Sequence, residues 1–285
     1  MTCWFSDEDD CNGTGCVGGG SGSGGVDCTC GKPNWTTRIV GGSPVDPKLK
    51  YPWMVGIYSY SWSDQYYCGG TIVNNLFILS AAHCFYSGGP QIPSDILMSI
   101  GDHNQDSTSD DIDGITIKVS VERVHIHPYY DDATINHDFS LVQLSEPLIF
   151  GDLIRPVCLP ENDLNTYEGE TGTIIGWGTT ASGGYAPDVL REAQVTILDQ
   201  TCGDYDPADI TEIMLCASHP GTDSCQGDSG GSIAVVEGEL YVQVGVVSWG
   251  YGCADASFPG VYSRISTVLR WIHQIADKGE WCPRE

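Results

Sequence analysis

The chain lacks any long apolar run. Nothing in its 285 residues approaches the ~18 consecutive apolar positions that a membrane-crossing helix needs, so a helical span and a membrane partner are excluded from the reading. It is also poor in positive charge. Twelve Lys and Arg face 38 Asp and Glu, for a formal net charge of −26. Phosphates would be repelled, which excludes nucleic acid as a natural partner. The acidity keeps a surface solvated and can speed the arrival of basic substrates. None of the 13 cysteines forms a C-x-x-C pair, which argues against zinc knuckles. The cysteines then read as disulfides made in an oxidising compartment, and the protein as secreted and extracellular. Met1 to Asp10 holds no apolar signal-peptide core, so the expectation is that the true start lies further upstream. Sequons at Asn12-Gly13-Thr14 and Asn34-Trp35-Thr36 agree with a secreted glycoprotein.

What the chain does have is glycine, 36 of them, and short β-branched runs between turns. Trp53 to Tyr58, Thr71 to Leu79, Ile115 to Val121, Thr173 to Trp177, Ala193 to Leu198, Ser232 to Val236 and Tyr241 to Trp249 are examples. Short strands spread evenly along a chain indicate an all-β sandwich or barrel. One helix is predicted, Ser266 to Ala276. Val268, Ile272 and Ile275 recur there at helical spacing after an N-cap at Ser266 or Thr267. Residues 1–38 differ from the rest. They hold Cys3, Cys11, Cys16, Cys28 and Cys30 and a Gly/Ser run from Gly18 to Gly25, too little for a core of their own. They read as a pro-segment or the tail of an upstream module, with the main domain at 39–285.

Three segments carry chemistry. Ser80-Ala81-Ala82-His83-Cys84 presents a histidine, Asn136-His137-Asp138-Phe139-Ser140-Leu141 an aspartate, and Asp223-Ser224-Cys225-Gln226-Gly227-Asp228-Ser229-Gly230-Gly231 a serine in a glycine-rich turn. Taken singly, His83 reads as a packed histidine, Asp138 as a turn residue and Ser229 as a turn serine. Together they supply what a serine nucleophile needs: a base to take the hydroxyl proton, and an acid to orient that base. The order His, Asp, Ser is that of the chymotrypsin-type triad. From residue 39 to about 277 the chain resembles the trypsin-like serine proteases, whose fold is two packed six-stranded antiparallel β-barrels with a C-terminal helix.

The resemblance implies a site in the cleft between the barrels, with His83 and Asp138 from the first and Ser229 from the second. It implies an oxyanion hole from the backbone N–H groups of Gly227 and Ser229. Asp223, six residues before the nucleophile, would lie at the base of the primary pocket, where a buried carboxylate needs a cationic Arg or Lys. Ser224 would help Lys to bind, and Gly250 and Gly260 would form the pocket walls. The backbone from Ser248 through Trp249 to Gly250 would pair with substrate as an added strand. Ile135 and His83 would shape the next subsite. The aromatic loop from Ser59 to Tyr67 would either touch substrate beyond the scissile bond or pack on its own barrel.

Cleavage of Arg38-Ile39 would free an amine to pair with Asp228, making the uncut chain a zymogen. The family pattern implies disulfides Cys68–Cys84, Cys202–Cys216 and Cys225–Cys253. Cys158 is left to pair with Cys30 or Cys28, and Cys282 with another pro-segment cysteine. Trypsins often bind calcium in the loop that here runs from Gly101 to Gly114. Asp102, Asn104 and Asp111, with Asp110 and Asp113, make it a candidate calcium loop, though the spacing departs from the usual pattern. No cofactor is required for the chemistry. The expected partners are protein or peptide substrates with Arg or Lys at the cleavage site, an activating protease and protein protease inhibitors. The competing class is a non-catalytic protease homologue, and within enzymes a digestive role competes with a cascade or venom role.

Overall fold

The computed structural model describes residues 28–34, 43–60, 65–86, 88–89, 91–179, 186–200, 202–219, 228–251 and 257–285. Its strands are β1 (Ser43–Pro44), β2 (Met54–Ser59), β3 (Gln65–Ile72), β4 (Phe77–Ser80), β5 (Ile96–Ile100), β6 (Ile117–Ile126) and β7 (Ser140–Leu144), then β8 (Thr171–Gly176), β9 (Arg191–Ile197), β10 (Met214–Ser218), β11 (Ser232–Glu237), β12 (Leu240–Trp249) and β13 (Gly260–Arg264). Strands β2 to β7 close into one antiparallel barrel in the order β2-β3-β4-β7-β6-β5. Strands β8 to β13 form a second sheet, which closes through the β8–β9 pairing and carries β1 on the edge of β9. The expected all-β pair of six-stranded barrels is therefore the fold.

Each barrel buries its own interior. Trp53, Ile57, Ile78, Phe85 and Leu141 are fully buried in the first, and Ile233, Val242, Val244 and Tyr262 in the second. All six residues of β2 are buried, because one face lines the barrel and the other is covered. The apolar run Thr71 to Leu79 is not one strand. Asn74 breaks it: its Oδ1 accepts from the Leu76 and Phe77 N–H groups at 3.0 and 2.9 Å, a side-chain turn that reverses the chain between β3 and β4. The C-terminal helix is also shorter than its pattern. A 3-10 turn at Ile265–Val268 leads into α1 (Leu269–Ile275), and neither Ser266 nor Thr267 caps it. Thr267 Oγ1 donates instead to Arg264 O, 2.7 Å away. The apolar face of this end segment, Val268, Ile272 and Ala276, packs onto the first barrel, so the end of the chain clasps the half it did not build.

A buried ion pair ties the N-terminal arm to the second barrel. Lys50 Nζ lies 2.9 and 2.8 Å from the two oxygens of Glu192 on β9, and both side chains are buried. The Tyr51 hydroxyl donates to the same carboxylate. Burial, then Tyr241 and Glu192, push the Tyr51 pKa far up, so it remains a donor. Two disulfides bind the segment before residue 35 to the body: Cys28–Cys282 and Cys30–Cys158. Cys68–Cys84 and Cys202–Cys216 are also formed. Cys225 and Cys253 lie outside the described residues.

Candidate active site

His83 opens a short 3-10 turn after β4, and Cys84 beside it is bonded to Cys68 on β3. The disulfide fixes the histidine turn to the barrel wall. Asp138 lies at the foot of β7 and is fully buried. Its carboxylate is nevertheless well supplied. Oδ1 accepts from the His83 backbone N–H at 2.8 Å, and Oδ2 lies 2.7 Å from His83 Nδ1 and accepts from Ser248 Oγ at 2.5 Å. Three donors make the burial of this charge tolerable.

With Nδ1 turned to the carboxylate, His83 Nε2 remains to take a proton. Burial of the ring works to lower its pKa. The charge of Asp138, its hydrogen bond and the more distant Asp132 outweigh that, and the His83 pKa ends above its ordinary value. The loop leading to Asp138 is strained. Ile135 and His137 have φ of 53° and 52°, in the left-handed region that a β-branched residue rarely enters. The Thr211 hydroxyl donates to Asn136 Oδ1 at 2.9 Å and pins that loop to the second barrel.

Ser229 sits in the turn before β11. Its carbonyl accepts from Gly69 N–H of β3 at 2.8 Å, and Gly230 N–H donates to Val247 O at 2.9 Å. The glycines here are dictated by space. Gly230 has φ of +80°, and a Cβ on it would come within 2.2 Å of Ser80 Oγ and 2.4 Å of Gly69 O. The turn therefore lies flat against the wall that carries the histidine. No hydrogen bond joins the Ser229 hydroxyl to His83 in this arrangement; such contacts are often loose before substrate binds.

The Asp228 carboxylate lies between Gly176 and Gly178. A Cβ on Gly176 would meet Oδ1 at 2.1 Å, one on Gly178 would meet Cγ at 2.3 Å, and Gly178 N–H donates to Oδ1 at 2.8 Å. Partly buried Tyr66 lies in the electrostatic reach of this carboxylate, and desolvation, then the Asp228 charge, hold its hydroxyl proton on. The Gly-Trp-Gly cradle is a functional feature the motif reading missed, although G-W-G stands plainly in the sequence. The hydroxyl of Ser248 is another: it was expected to act through its backbone alone.

Gly250 and Gly260 lie side by side, since a Cβ on Gly250 would come into van der Waals contact with Gly260 Cα at 3.8 Å. Trp249 pairs with Val261 in the ladder. Arg38, Ile39, Asp223, Ser224 and Gly227 lie outside the described residues. In the loop from Gly101 to Gly114, Asp110 and Asp111 lie close enough to Asp102 to help raise its pKa after burial does so. No three ligand atoms of Asp, Glu, His or Cys come within 4.8 Å of one another there among the described residues. Lys48 Nζ lies 3.5 Å from Asp110, and Asn104 Oδ1 is taken by the Asp106 N–H. The described side chains of this loop show no calcium cage.

The trypsin family model matches residues 39–272. The chain is 38% identical over 252 residues to Transmembrane protease serine 9 of Rattus norvegicus, a match covering 87% of this chain and 23% of that protein. It is 37% identical over 244 residues to Trypsin 5G1 of Aedes aegypti, covering 84% and 85%. It is 33% identical over 253 residues to the Suppressor of tumorigenicity 14 protein homolog of Bos taurus, covering 85% and 29%. The chain thus spans about a quarter of the rat and bovine proteins and most of the mosquito one. Among the described residues no helix is long and apolar enough to cross a membrane. A buried aspartate oriented onto a histidine, beside a glycine-built serine turn at the seam of two barrels, agrees with these matches, and the chain belongs to the trypsin family of serine proteases.

Proposed function

We propose that the chain is a serine endopeptidase that cleaves after Arg or Lys and is switched on by cutting Arg38-Ile39. The observation that carries the reading is the 2.7 Å contact from His83 Nδ1 to a fully buried Asp138. Ser229 Oγ attacks the scissile carbonyl as His83 takes its proton. His83 returns that proton to the leaving amine, and water repeats the cycle on the acyl-enzyme. The imidazolium that forms is stabilised by Asp138, and the oxyanion by the N–H groups of Gly227 and Ser229. Asp223 selects the cationic side chain, which passes between Gly250 and Gly260, with Ser224 assisting Lys.

Residues 1–38 act as a pro-segment. The two disulfides from Cys28 and Cys30 lie before the cut, so cleavage leaves the segment attached. The new Ile39 amine then pairs with Asp228, whose cradle of glycines already holds one carboxylate oxygen. The protein works outside the cell on protein substrates, under an activating protease and protein inhibitors. The likeness to a mosquito trypsin supports the basic-residue specificity. The test is cleavage of Arg-, Lys- and Phe-containing chromogenic peptides before and after nicking at Arg38. Activity on Arg and Lys alone, appearing with the nick and abolished by a serine-directed covalent inhibitor, is expected. No activity after verified nicking overturns the reading in favour of a non-catalytic homologue.

A further inference from the structure

A cavity of about 530 Å³ opens between α1 and the end of β6, and the proposed chemistry makes no use of it. Its wall holds His127, Tyr129, Asn162, Leu269, Arg270 and Trp271 among others. The rings fix one another. His127 meets Trp271 at 4.9 Å and Tyr129 at 5.8 Å, and Tyr129 also meets His137 at 5.6 Å. Rings held in this way lose little freedom when a guest arrives. Apolar surface is left uncovered here. Tyr129 is 72% exposed and Leu164 84%, the latter in a loop turned by Asn162 Oδ1, which accepts from Leu164 N–H at 2.9 Å. Large apolar side chains left open around a cavity mark an interaction surface. The wall has one cation, Arg270, and one acid, Asp163. Arg270 makes no hydrogen bond or ion pair among the described residues, whereas Arg155 and Arg284 are both paired. In a chain of net charge −26, a free guanidinium beside aromatic rings is scarce.

The chain itself carries a segment of matching chemistry. Residues 1–27 lie outside the described residues, but the structure fixes where they join the body. Cys28 is bonded to Cys282, and Cys30 N–H donates to Pro283 O at 2.9 Å. Arg284, two residues past Cys282, lies 3.4 Å from Glu161, and the next residue, Asn162, lines the cavity. The anchor point is therefore close to the cavity. In residues 1–27 the two aromatics, Trp4 and Phe5, are adjacent, and Asp7-Glu8-Asp9-Asp10 follow them. The Gly/Ser run from Gly18 to Gly25 separates this head from the anchor. Phe5 stands 23 residues before Cys28, and a Gly-rich chain of that length has an r.m.s. span of about 25–29 Å. Such a tether presents its end at an effective concentration of roughly 1 mM, ahead of any partner in dilute solution.

We propose that this cavity is the docking site of the chain's own N-terminal head, with Trp4 and Phe5 against Tyr129, Leu269 and Trp271, and the acids of residues 7–10 toward Arg270. Asp163 sets the orientation, because acids laid on its side would be repelled. The inference goes beyond the protease reading and does not rest on it, since an inactive chain would hold its head in the same way. The disulfides from Cys28 and Cys30 retain one end of the segment. The cavity gives the other end its place.

The experiment uses the full chain carrying Ser229→Ala, which removes self-cleavage. Photo-reactive p-benzoylphenylalanine is placed at Phe5 or, as a control, at Val17 just before the Gly/Ser run, and the cross-linked residues are mapped by mass spectrometry. From position 5 the label should fall on residues 127–130, 162–164 and 266–274, about tenfold above the label from position 17. Trp4→Ser leaves the body untouched and should lower that yield at least about threefold. Arg270→Glu, on the exposed face of α1, should lower it by about the same factor with the unfolding midpoint unchanged. Label spread elsewhere on the body, or equal from the two positions, overturns the proposal. A yield that either substitution leaves unchanged overturns it as well. Cross-links that join two chains and rise with concentration would overturn it in favour of a second copy on this surface.

Discussion

Acid should unfasten this protein at the base of the Asp138 loop. His127 is buried, with 7% of its surface exposed. Its ring stacks on His137 at 4.9 Å and 10° and meets the edge of Trp271 at 4.9 Å. Tyr129 N–H donates to its Nδ1 at 3.3 Å, which requires the neutral ring. Burial, then the neighbouring His137, push the His127 pKa down to about 4 from the ordinary 6.5. His137 is lowered by burial as well, and its Nδ1 is buried without a partner. A group whose folded pKa is depressed in this direction binds its proton in the unfolded chain first. Between pH 6.5 and 4 the unfolded state therefore holds more protons, and stability falls as the pH falls through that window.

The full difference corresponds to about 3 kcal/mol, and solvent at the ring edge reduces it to about 2 kcal/mol. The assay is urea unfolding of the Ser229→Ala chain, which removes self-cleavage, at several pH values from 7 to 4.5. His127→Phe keeps the aromatic contacts and removes the titration. Its stability should depend less on pH by about 2 kcal/mol over that range, and the difference curve excludes the other histidines. Parallel curves for the two chains would refute the reasoning. Loss of activity should accompany loss of stability in wild type, because His137 directly precedes Asp138.

Three further outcomes follow from the site and the arm. In a pH profile of kcat/KM the limb controlled by the base should lie above the ordinary histidine value, and Asp132→Asn should move it down, since Asp132 helps to raise the His83 pKa; no movement would mean that its charge is screened. Ser248→Ala removes the 2.5 Å donor to Asp138 and leaves a buried carboxylate one bond short, so kcat should fall by about tenfold, from ~1.4 kcal/mol, with KM little changed. Lys50→Met leaves Glu192 charged and buried, costing about 3–5 kcal/mol in denaturant unfolding, and adding Glu192→Leu should restore most of it. A double variant as unstable as the single one would contradict that account.

The parts that could be read from sequence are those whose chemistry is confined to a few adjacent residues. The serine turn is legible because Gly230 and Gly231 must flank a nucleophile pressed against another wall, and only glycine fits at φ +80°. The break at Asn74 was legible in principle, since Val73-Asn74-Asn75-Leu76 is a turn signal inside an apolar run. Other features were not. The Ser248 hydroxyl reaches Asp138 across 110 residues, and Gly178 reaches Asp228 across 50. No local period encodes such distances; they follow from barrel closure and strand register. The strained backbone at Ile135 was equally hidden, because a β-branched residue argues against the left-handed conformation it adopts.

Those distant contacts also explain why the site depends so strongly on the seam. Gly69 N–H to Ser229 O, Ser248 Oγ to Asp138 Oδ2 and Thr211 Oγ1 to Asn136 Oδ1 each cross from one barrel to the other. The hydrophobic core also crosses the seam, since Ile175, Trp177 and Val246 of the second barrel join the cluster built on the first. A change confined to one of these polar ties leaves that core in place, and is therefore expected to alter the relative placement of His83, Asp138 and Ser229 before it alters stability. Displacing reacting groups by an ångström is enough to cost ~100-fold in rate. Thr211→Val, which removes one such tie while keeping the side-chain shape, should lower kcat with the unfolding midpoint nearly unchanged. A parallel loss of both would mean that this tie is part of the core, and that the geometry of the site is maintained by packing instead of by these three bonds.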